Sequence, residues 1–410
     1  MTSRIHWAWI ILVVSFLSFF TQYSIRMSYG ILMPEMIVSL RITKAQAGVI
    51  ASSFYLAYAI FSPLLGYLVD RVSARKLLVL FNFILGAGAF LMGKSNSLLQ
   101  ACLFFGVVGV GYSAAWIPMV TLVERWFGAK HRGMALGIFS VSYAIGYGVM
   151  GLVLPPLVDR YDWRTCWLIL SIPAFSLVLI SGILLRTKPQ DLKLRPWGEE
   201  GPLPALNHTE DIKARVRYGE LLKLRNLWLG GLSYFFIAFT AYFINIFIVT
   251  YGTMELRFPF AQAAKLASAI AFSGIIGALF IPILSDSLGR KRCLLLTNMF
   301  LAFSILLIIG AGENWLALLL AACVFGVFFA AVWPMYAAAA AEFFPPGATG
   351  SVLGFWTIFY GLALIFGPGL GGYIADLTGT FTWSFLMAAA AGIMGTFFFS
   401  KMKRTRDISG

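Results

Sequence analysis

The stretch "GYLVDRVSARK" (66–76) recurs in the second half of the chain as "PILSDSLGRKR" (282–292). The same offset carries "AAWIPMV" (114–120) onto "AAVWPMY" (330–336). Because one offset aligns several separate features, the sequence predicts two copies of one structural unit joined in a single chain.

The composition indicates that both copies are embedded in a membrane. Of the 410 residues, 60% are hydrophobic and 12% are charged, whereas soluble domains are about 45–50% apolar and about 25% charged. A membrane-spanning helix needs about 20 apolar residues. The sequence therefore predicts an all-α membrane protein with transmembrane helices in two pseudo-symmetric six-helix bundles. The twelve predicted spans are 7–36, 45–69, 77–94, 98–123, 133–158, 163–185, 226–251, 262–285, 293–311, 314–341, 349–373 and 381–400.

The connections divide the chain into four predicted parts. They are an N-terminal bundle (1–185), a cytoplasmic linker (186–225), a C-terminal bundle (226–400) and a cytoplasmic tail (401–410). With both termini in the cytoplasm, most lysines and arginines fall on the inside, as the positive-inside rule requires. The net charge of +14 is then explained by topology, and no nucleic-acid partner is expected. The first apolar run is too long for a cleavable signal peptide.

Several chemistries are not expected. The cysteines, Cys102, Cys166, Cys293 and Cys323, fall within predicted spans and lack paired spacing, so neither a disulfide framework nor a zinc site is predicted. No cofactor is predicted. The sequence shows no nucleophile–base pair or phosphate-binding loop, so an enzyme is not expected.

The repeated loop resembles the signature of the major facilitator superfamily. In the first copy the resemblance rests on Gly66, Asp70, Arg71, Arg75 and Lys76. Departures from the signature are Ser73 in place of glycine in the first copy, and Pro282 and Ser287 in place of glycine and arginine in the second. The resemblance implies a secondary active transporter in the cell (inner) membrane, in contact with the lipid bilayer and functioning as a monomer.

A second pattern, "RMSYGILMPEM" (26–36), is similar to the oxalate/formate antiporter and monocarboxylate transporter branch of that superfamily. Repeated membrane halves place a substrate site near the bilayer midplane between them and alternate its access by rocking. The resemblance also implies that Asp70 locks against the end of the eleventh span in the outward-facing state. The predicted gating residues are Asp70, Arg71, Arg75, Glu124, Arg125, Asp286, Lys291 and Glu342. The alternative is a topological charge cluster that contributes little energy.

The most unusual charge is Arg26, which lies well inside the first predicted span. The carboxylates near the spans fall at span ends or in loops. A charge at membrane depth costs at least ~2.5–3.5 kcal/mol and usually marks a substrate path, and a guanidinium stays charged in a protein. We therefore expect Arg26 to pair with a transported anion that binds and dissociates. The alternative is a structural arginine bonded to backbone carbonyls.

Helical spacing puts Gln22, Arg26 and Tyr29 on one face of the first span, with Tyr23 beside them. At the repeat offset Arg26 aligns with Tyr242. The predicted substrate-binding residues are Gln22, Arg26, Tyr29, Tyr112, Trp116, Tyr143, Tyr242, Asn245, Trp333, Tyr336 and Tyr360. For each aromatic residue, packing or an interfacial position is the alternative.

Two prolines occupy matched places in the repeats, Pro118 in the fourth span and Pro334 in the tenth. A proline inside a helix removes a backbone hydrogen bond and bends the helix. The sequence therefore predicts matched bends that shape the cavity, and plain helix packing is the alternative.

A single buried cation favours a small organic anion, most simply a monocarboxylate. Transport could be proton-coupled symport, with the proton carried alongside the substrate, or anion exchange, which needs no protonatable residue. One alternative is a drug or metabolite efflux transporter, which would carry neutral or cationic compounds. Another is a transporter-like receptor, which would bind without flux.

Overall fold

The computed structural model describes residues 6–69, 71–199, 221–345 and 348–403. In this part of the chain, twelve helical segments are long and apolar enough to cross a membrane, which confirms the predicted twelve-span, all-α fold. The α-helices are α1 (Trp7–Leu40), α2 (Lys44–Val69), α3 (Ala74–Met92), α4 (Leu98–Tyr112), α5 (Ile117–Trp126), α6 (Ala129–Arg160), α7 (Trp163–Leu184), α8 (Arg225–Thr250), α9 (Phe260–Leu288), α10 (Arg290–Ala311), α11 (Trp315–Phe343), α12 (Thr349–Thr378) and α13 (Thr382–Ser400).

The helices form two compact units. The first comprises residues 1–42 and 53–205, and the second comprises residues 43–52 and 206–410. Helix α2 is therefore shared, because its first residues pack with the second unit and the rest packs with the first. Most of the predicted linker (186–225) falls outside the described residues, so the sequence-based domain boundaries stay predictions.

Polar residues begin several helices of the first unit. The Ser73 hydroxyl accepts a hydrogen bond from the Lys76 amide and begins α3, and the Asp162 carboxylate accepts one from the Thr165 amide and begins α7. Such caps satisfy amides that have no partner within the helix. Burial raises the pKa of Asp162, but the hydrogen bonds from Thr165 and the nearby Arg164 guanidinium outweigh burial and hold it below its usual value. Both helix starts are thus fixed by short polar residues.

The matched prolines have different outcomes. Pro334 lies inside the continuous helix α11. The fourth span instead breaks between α4 and α5, and Pro118 falls in the first turn of α5, where the missing amide proton costs nothing. The prediction of two similar bends is therefore wrong for Pro118, which lies at the start of a helix instead of bending one.

The start of the predicted linker is anchored on the first unit by Trp197. Its indole ring packs edge-on against Trp9, Phe127 and His131, with ring centroids 4.5–5.8 Å apart. Its amide donates to the Trp126 carbonyl at 2.9 Å, and its carbonyl accepts from the Gly128 amide at 3.0 Å. This segment is therefore held by both its side chain and its backbone.

In the second unit, the start of α2 lies against α12. Both carboxylate oxygens of Asp376 accept backbone amides there, from Lys44 at 3.1 Å and Ala45 at 2.8 Å. A Cβ added to Gly48 would lie 2.2 Å from the Pro368 carbonyl oxygen, so only glycine permits this approach of the two backbones. The acidic cap and the close contact together fix the first turns of α2.

Candidate functional site

Arg26 lies on α1 in the first unit, and its side chain is only 9% exposed. Its Nη1 donates a hydrogen bond to the Tyr112 hydroxyl, with 3.1 Å between the atoms. Tyr112 is the last residue of α4, just before the break that precedes Pro118. The end of that helix therefore presents a phenol to the guanidinium.

Four aromatic rings surround the same guanidinium. Its carbon atom lies 5.3 Å from the ring centre of Tyr23, 5.8 Å from that of Phe54, 5.4 Å from that of Tyr55 and 5.1 Å from that of Tyr112. A cation within about 6 Å of an aromatic face is attracted by the ring quadrupole. These contacts hold the guanidinium in one orientation. We call Arg26 with these four residues the Arg26 cage.

Two of the predicted residues in the first unit join this cage or adjoin it. Tyr112 is a member, and Tyr143 of α6 packs on Tyr23 with ring centroids 5.3 Å apart. The third tyrosine, Tyr29, stacks on Phe105 at 4.6 Å and is buried. The cage is therefore extended toward α6 by a further tyrosine.

The other two predicted residues in this unit contact different groups. Gln22 is fully buried and its amide nitrogen donates to the Asn82 side-chain oxygen at 2.7 Å. Trp116 is 48% exposed and packs against Phe19 and Phe139. The structure thus gives Gln22 a partner on α3, and a role for it in substrate binding stays a prediction.

In the second unit, the position that matches Arg26 belongs to an aromatic cluster. Tyr242 packs against Trp333 and Tyr360, both with centroids 5.6 Å away, and those two rings lie 5.4 Å apart. Tyr234 completes the group, at 5.7 Å from Trp333 and 5.8 Å from Tyr360. We call these four rings the Tyr242 cluster. Three predicted residues from α8, α11 and α12 are therefore brought together.

The remaining two predicted residues of the second unit are held by hydrogen bonds. The Tyr336 hydroxyl is bonded to Ser233 and accepts from the Asn298 amide at 3.1 Å, and its ring is fully buried. The Asn245 amide nitrogen donates to the Ala241 carbonyl one turn earlier in α8. Both contacts tie the side chains to their own unit.

The predicted gating residues of the first unit have local partners. The Arg71 guanidinium lies 4.0 Å from the ring centre of Tyr67, and Arg75 donates to the Gly182 carbonyl of α7. Glu124 and Arg125 are half-buried in the last turn of α5. Asp70 lies outside the described residues, so its role as a lock stays a prediction.

In the second unit, Asp286 near the end of α9 and Arg290 at the start of α10 form an ion pair at 3.4 Å between exposed side chains. The Lys291 ammonium donates to the Met402 carbonyl at 2.6 Å. Glu342 is half-buried at the end of α11. Arg75 and Lys291, which align in the repeat, therefore both bond backbone carbonyls at the ends of neighbouring segments.

Sequence reasoning missed Phe54 and Tyr55 of the Arg26 cage and Tyr234 of the Tyr242 cluster. The run "FYLAY" (54–58) carries three aromatic residues in the second span, which was the available signal. Among the described residues, no group of three or more His, Cys, Asp or Glu side chains could hold a metal ion.

Two repeated bundles of spanning helices, one of them with a buried cation, are the features of a secondary transporter. Comparison with known proteins agrees with this class. The model of the Major Facilitator Superfamily matches residues 11–297 and 255–408. The chain belongs to this superfamily, and it is a multi-pass integral membrane protein that transports small solutes rather than an enzyme.

Three relatives show the range within the family. A protein named "Probable hexose phosphate transport protein" from Chlamydia muridarum is 27% identical over 87% of this chain and 83% of its own length. "Membrane sensor protein UhpC" of Salmonella typhimurium is 25% identical over 95% of this chain and 90% of its own length. "Monocarboxylate transporter 13" of Rattus norvegicus is 24% identical over 95% of this chain and 87% of its own length.

Solved structures share the fold. The crystal structure of the nucleoside transporter NupG superposes with a TM-score of 0.78 at 16% identity, and the match covers 97% of this chain and 99% of that one. At this identity the likeness concerns the fold alone.

Proposed function

We propose that this transporter carries a small organic anion, most simply a monocarboxylate, and that Arg26 is the counter-charge for it. The observation that carries the proposal is the Arg26 cage, in which aromatic rings and the Tyr112 hydroxyl hold a permanent cation at membrane depth. A guanidinium offers a planar fork that matches a carboxylate. The anionic solutes in the names of two relatives, a hexose phosphate and a monocarboxylate, support this charge preference.

The second unit supports a substrate with few negative charges. Tyr242 stands where the first unit has Arg26, and its neighbours in the Tyr242 cluster are neutral rings. These rings offer flat apolar faces and phenols, which suit the uncharged part of an organic acid. A monocarboxylate needs one cation, and the Arg26 cage provides one.

The transporter is proposed to lie in the cell (inner) membrane with both termini in the cytoplasm, to work by alternating access and to function as a monomer. Coupling follows one of two modes. In proton-linked symport, a pH gradient alone drives uptake. In anion exchange, uptake requires an anion inside. The substrate would bind the guanidinium of the Arg26 cage in either mode. In anion exchange only that occupied state would rock freely, whereas in symport the empty transporter would also have to return.

The test is uptake by the full-length protein in proteoliposomes. Labelled lactate, glucuronate, glucose 6-phosphate and a lipophilic cation are supplied with and without a pH gradient, and with and without internal anion. Wild type is compared with Arg26→Gln and with Lys265→Gln, which removes an equal charge from an exposed side chain of α9. We expect lactate uptake to be lost in Arg26→Gln and kept in Lys265→Gln.

Other outcomes identify other functions. Lactate uptake with unchanged affinity in Arg26→Gln would contradict the role of the cage. Saturable transport of the cation alone would establish an efflux transporter.

A sensor is the second candidate, because a relative that matches 95% of the chain is named a membrane sensor. A receptor of this fold would bind an anion through Arg26 without moving it. Binding by tryptophan fluorescence together with absent flux, under both a pH gradient and internal anion, would establish this function.

A further inference from the structure

A cavity of about 450 Å³ lies where α3 begins and α7 ends, in the first unit. Its walls carry three basic side chains, Arg75, Lys76 and Arg186, and one acidic side chain, Asp191. The Asp191 carboxylate accepts a hydrogen bond from the Lys188 amide at 3.1 Å and so caps the start of the short 3-10 helix Pro189–Leu192. The cavity is therefore positively charged.

The two arginines are fixed in place by backbone carbonyls. Arg75 donates to the Gly182 carbonyl, and Nη1 of Arg186 donates to the carbonyls of Ile183 and Leu185 at 2.7 and 2.9 Å. These bonds use one nitrogen of each guanidinium, and a guanidinium has five N–H donors. The Lys76 ammonium lies on an exposed side chain in the first turn of α3. A negatively charged group in the cavity would therefore find guanidinium N–H donors that are already held in position.

An exposed apolar surface continues from the cavity along both helices. On α3, Leu80 and Phe83 follow Lys76 at helical spacing and are each 52% exposed. On α7, Leu179 and Ile183 lie one turn apart near the helix end and are 68% and 66% exposed, and Arg186 follows two residues after the helix. Residues three and four apart lie on one helix face, so Lys76 stands at the end of the α3 stripe. Arg186 is held at the end of the α7 stripe by its hydrogen bond to the Ile183 carbonyl.

The two stripes run side by side. The rings of Phe83 on α3 and Phe175 on α7 are 5.8 Å apart, about two helical turns from the cavity. In a spanning segment, exposed apolar side chains face lipid tails. A basic pocket that opens onto such a surface has the two parts of a phospholipid site, one for the phosphate and one for the acyl chains.

We propose that this cavity binds the headgroup of an anionic phospholipid, with the acyl chains along the α3–α7 stripes. Arg75, Lys76 and Arg186 contact the phosphate, and Leu80, Phe83 and Leu179 contact the chains. The site is separate from the Arg26 cage, so it does not depend on which solute is transported. A free phosphate would use the basic residues alone, whereas a phospholipid also uses the apolar stripes.

The test is native mass spectrometry of the full-length protein in detergent with equal amounts of phosphatidylglycerol and phosphatidylcholine. We expect wild type to retain phosphatidylglycerol preferentially, and Lys76→Gln to retain it about fivefold less, since one basic residue near an anionic lipid contributes on that scale. Arg292→Gln is the matched control, because Arg292 is also exposed, lies early in α10 and aligns with Lys76 in the repeat. It should behave as wild type.

A second variant keeps every charge and fills the cavity. A Cβ added to Gly182 would have only the Val79 side chain nearby, at 3.8 Å, so Gly182→Leu places its side chain in open space. This variant should also lose phosphatidylglycerol. The proposal is overturned if Gly182→Leu binds this lipid as wild type does, if both lipids bind equally, or if Lys76→Gln and Arg292→Gln lose it equally. Displacement by inorganic phosphate at millimolar concentration would assign the cavity to a soluble anion instead.

Discussion

The Arg26 cage of the first unit and the Tyr242 cluster of the second unit are centred on repeat-related positions and are both rich in aromatic residues. Each has a residue of the first helix of its half at the centre, with aromatic rings from that helix and from other helices around it. The first encloses a guanidinium, and the second encloses a phenol. Both halves thus have aromatic rings around the central residue, but the first has a charged residue there and the second has a neutral one. We therefore expect anion recognition to depend mainly on the first unit.

The largest expected effect comes from removing the charge. Arg26→Gln should lower anion uptake at limiting substrate by at least about 30-fold, because truncating one partner of a buried charge pair costs ~2–5 kcal/mol or more. Arg26→Lys should retain part of the activity, since it keeps the charge without the planar fork. Initial rates in proteoliposomes measure both. Equal rates for Arg26→Gln and wild type would show that the charge of the Arg26 cage does not set it apart from the Tyr242 cluster in anion recognition.

A smaller effect is expected from forcing α4 away from Phe54, which is part of the Arg26 cage. A Cβ added to Gly109 of α4 would lie 2.3 Å from the Phe54 carbonyl oxygen. Gly109→Ala should therefore lower the free energy of unfolding by about 1–3 kcal/mol, the usual cost of overpacking, and lower uptake with it. Gly137→Ala is the control, because a Cβ there has no neighbour within 4 Å. Thermal unfolding of both purified variants measures the effect, and equal stability of the two would contradict the close contact.

The next effect comes from a single oxygen atom. Tyr112→Phe removes the acceptor for Arg26 Nη1 and keeps the aromatic ring. We expect KM for the anion to rise about tenfold, since a hydrogen bond to a charged group contributes ~1.5–3 kcal/mol, with kcat nearly unchanged. The concentration dependence of uptake separates the two constants. A fall in kcat at unchanged KM would show that Tyr112 does not orient the guanidinium for binding.

The smallest effect is expected at the matching position of the second unit. Tyr242→Phe keeps the ring contacts with Phe329, Trp333 and Tyr360. Uptake should therefore change by about two- to threefold, the lower end of the ~0.5–1.5 kcal/mol that a neutral hydrogen bond contributes. The same uptake assay measures it. A loss as large as that of Arg26→Gln would mean that the two clusters contribute equally to recognition.

The sequence was sufficient for the fold and for the central residue of the cage. Spans are easy to place because each helix must satisfy its backbone within the lipid and needs about 20 apolar residues. The break between α4 and α5 was not predicted, since a proline is compatible with both a bend and a new helix start. Phe54 and Tyr55 were missed because helical spacing identifies neighbours on one helix and not those contributed by another helix.

The start of α2 has a consequence for dividing the protein. Residues 43–52 count with the second unit, where Asp376 binds the amides of Lys44 and Ala45 and a Cβ on Gly372 would lie 2.2 Å from the Lys44 carbonyl oxygen. A fragment that starts after residue 205 therefore lacks ten residues of its own unit and exposes the glycine face of α12. Co-expressed halves should reassemble through this segment, and a half-transporter made from the C-terminal fragment alone should be poorly stable unless a peptide of residues 43–52 is supplied.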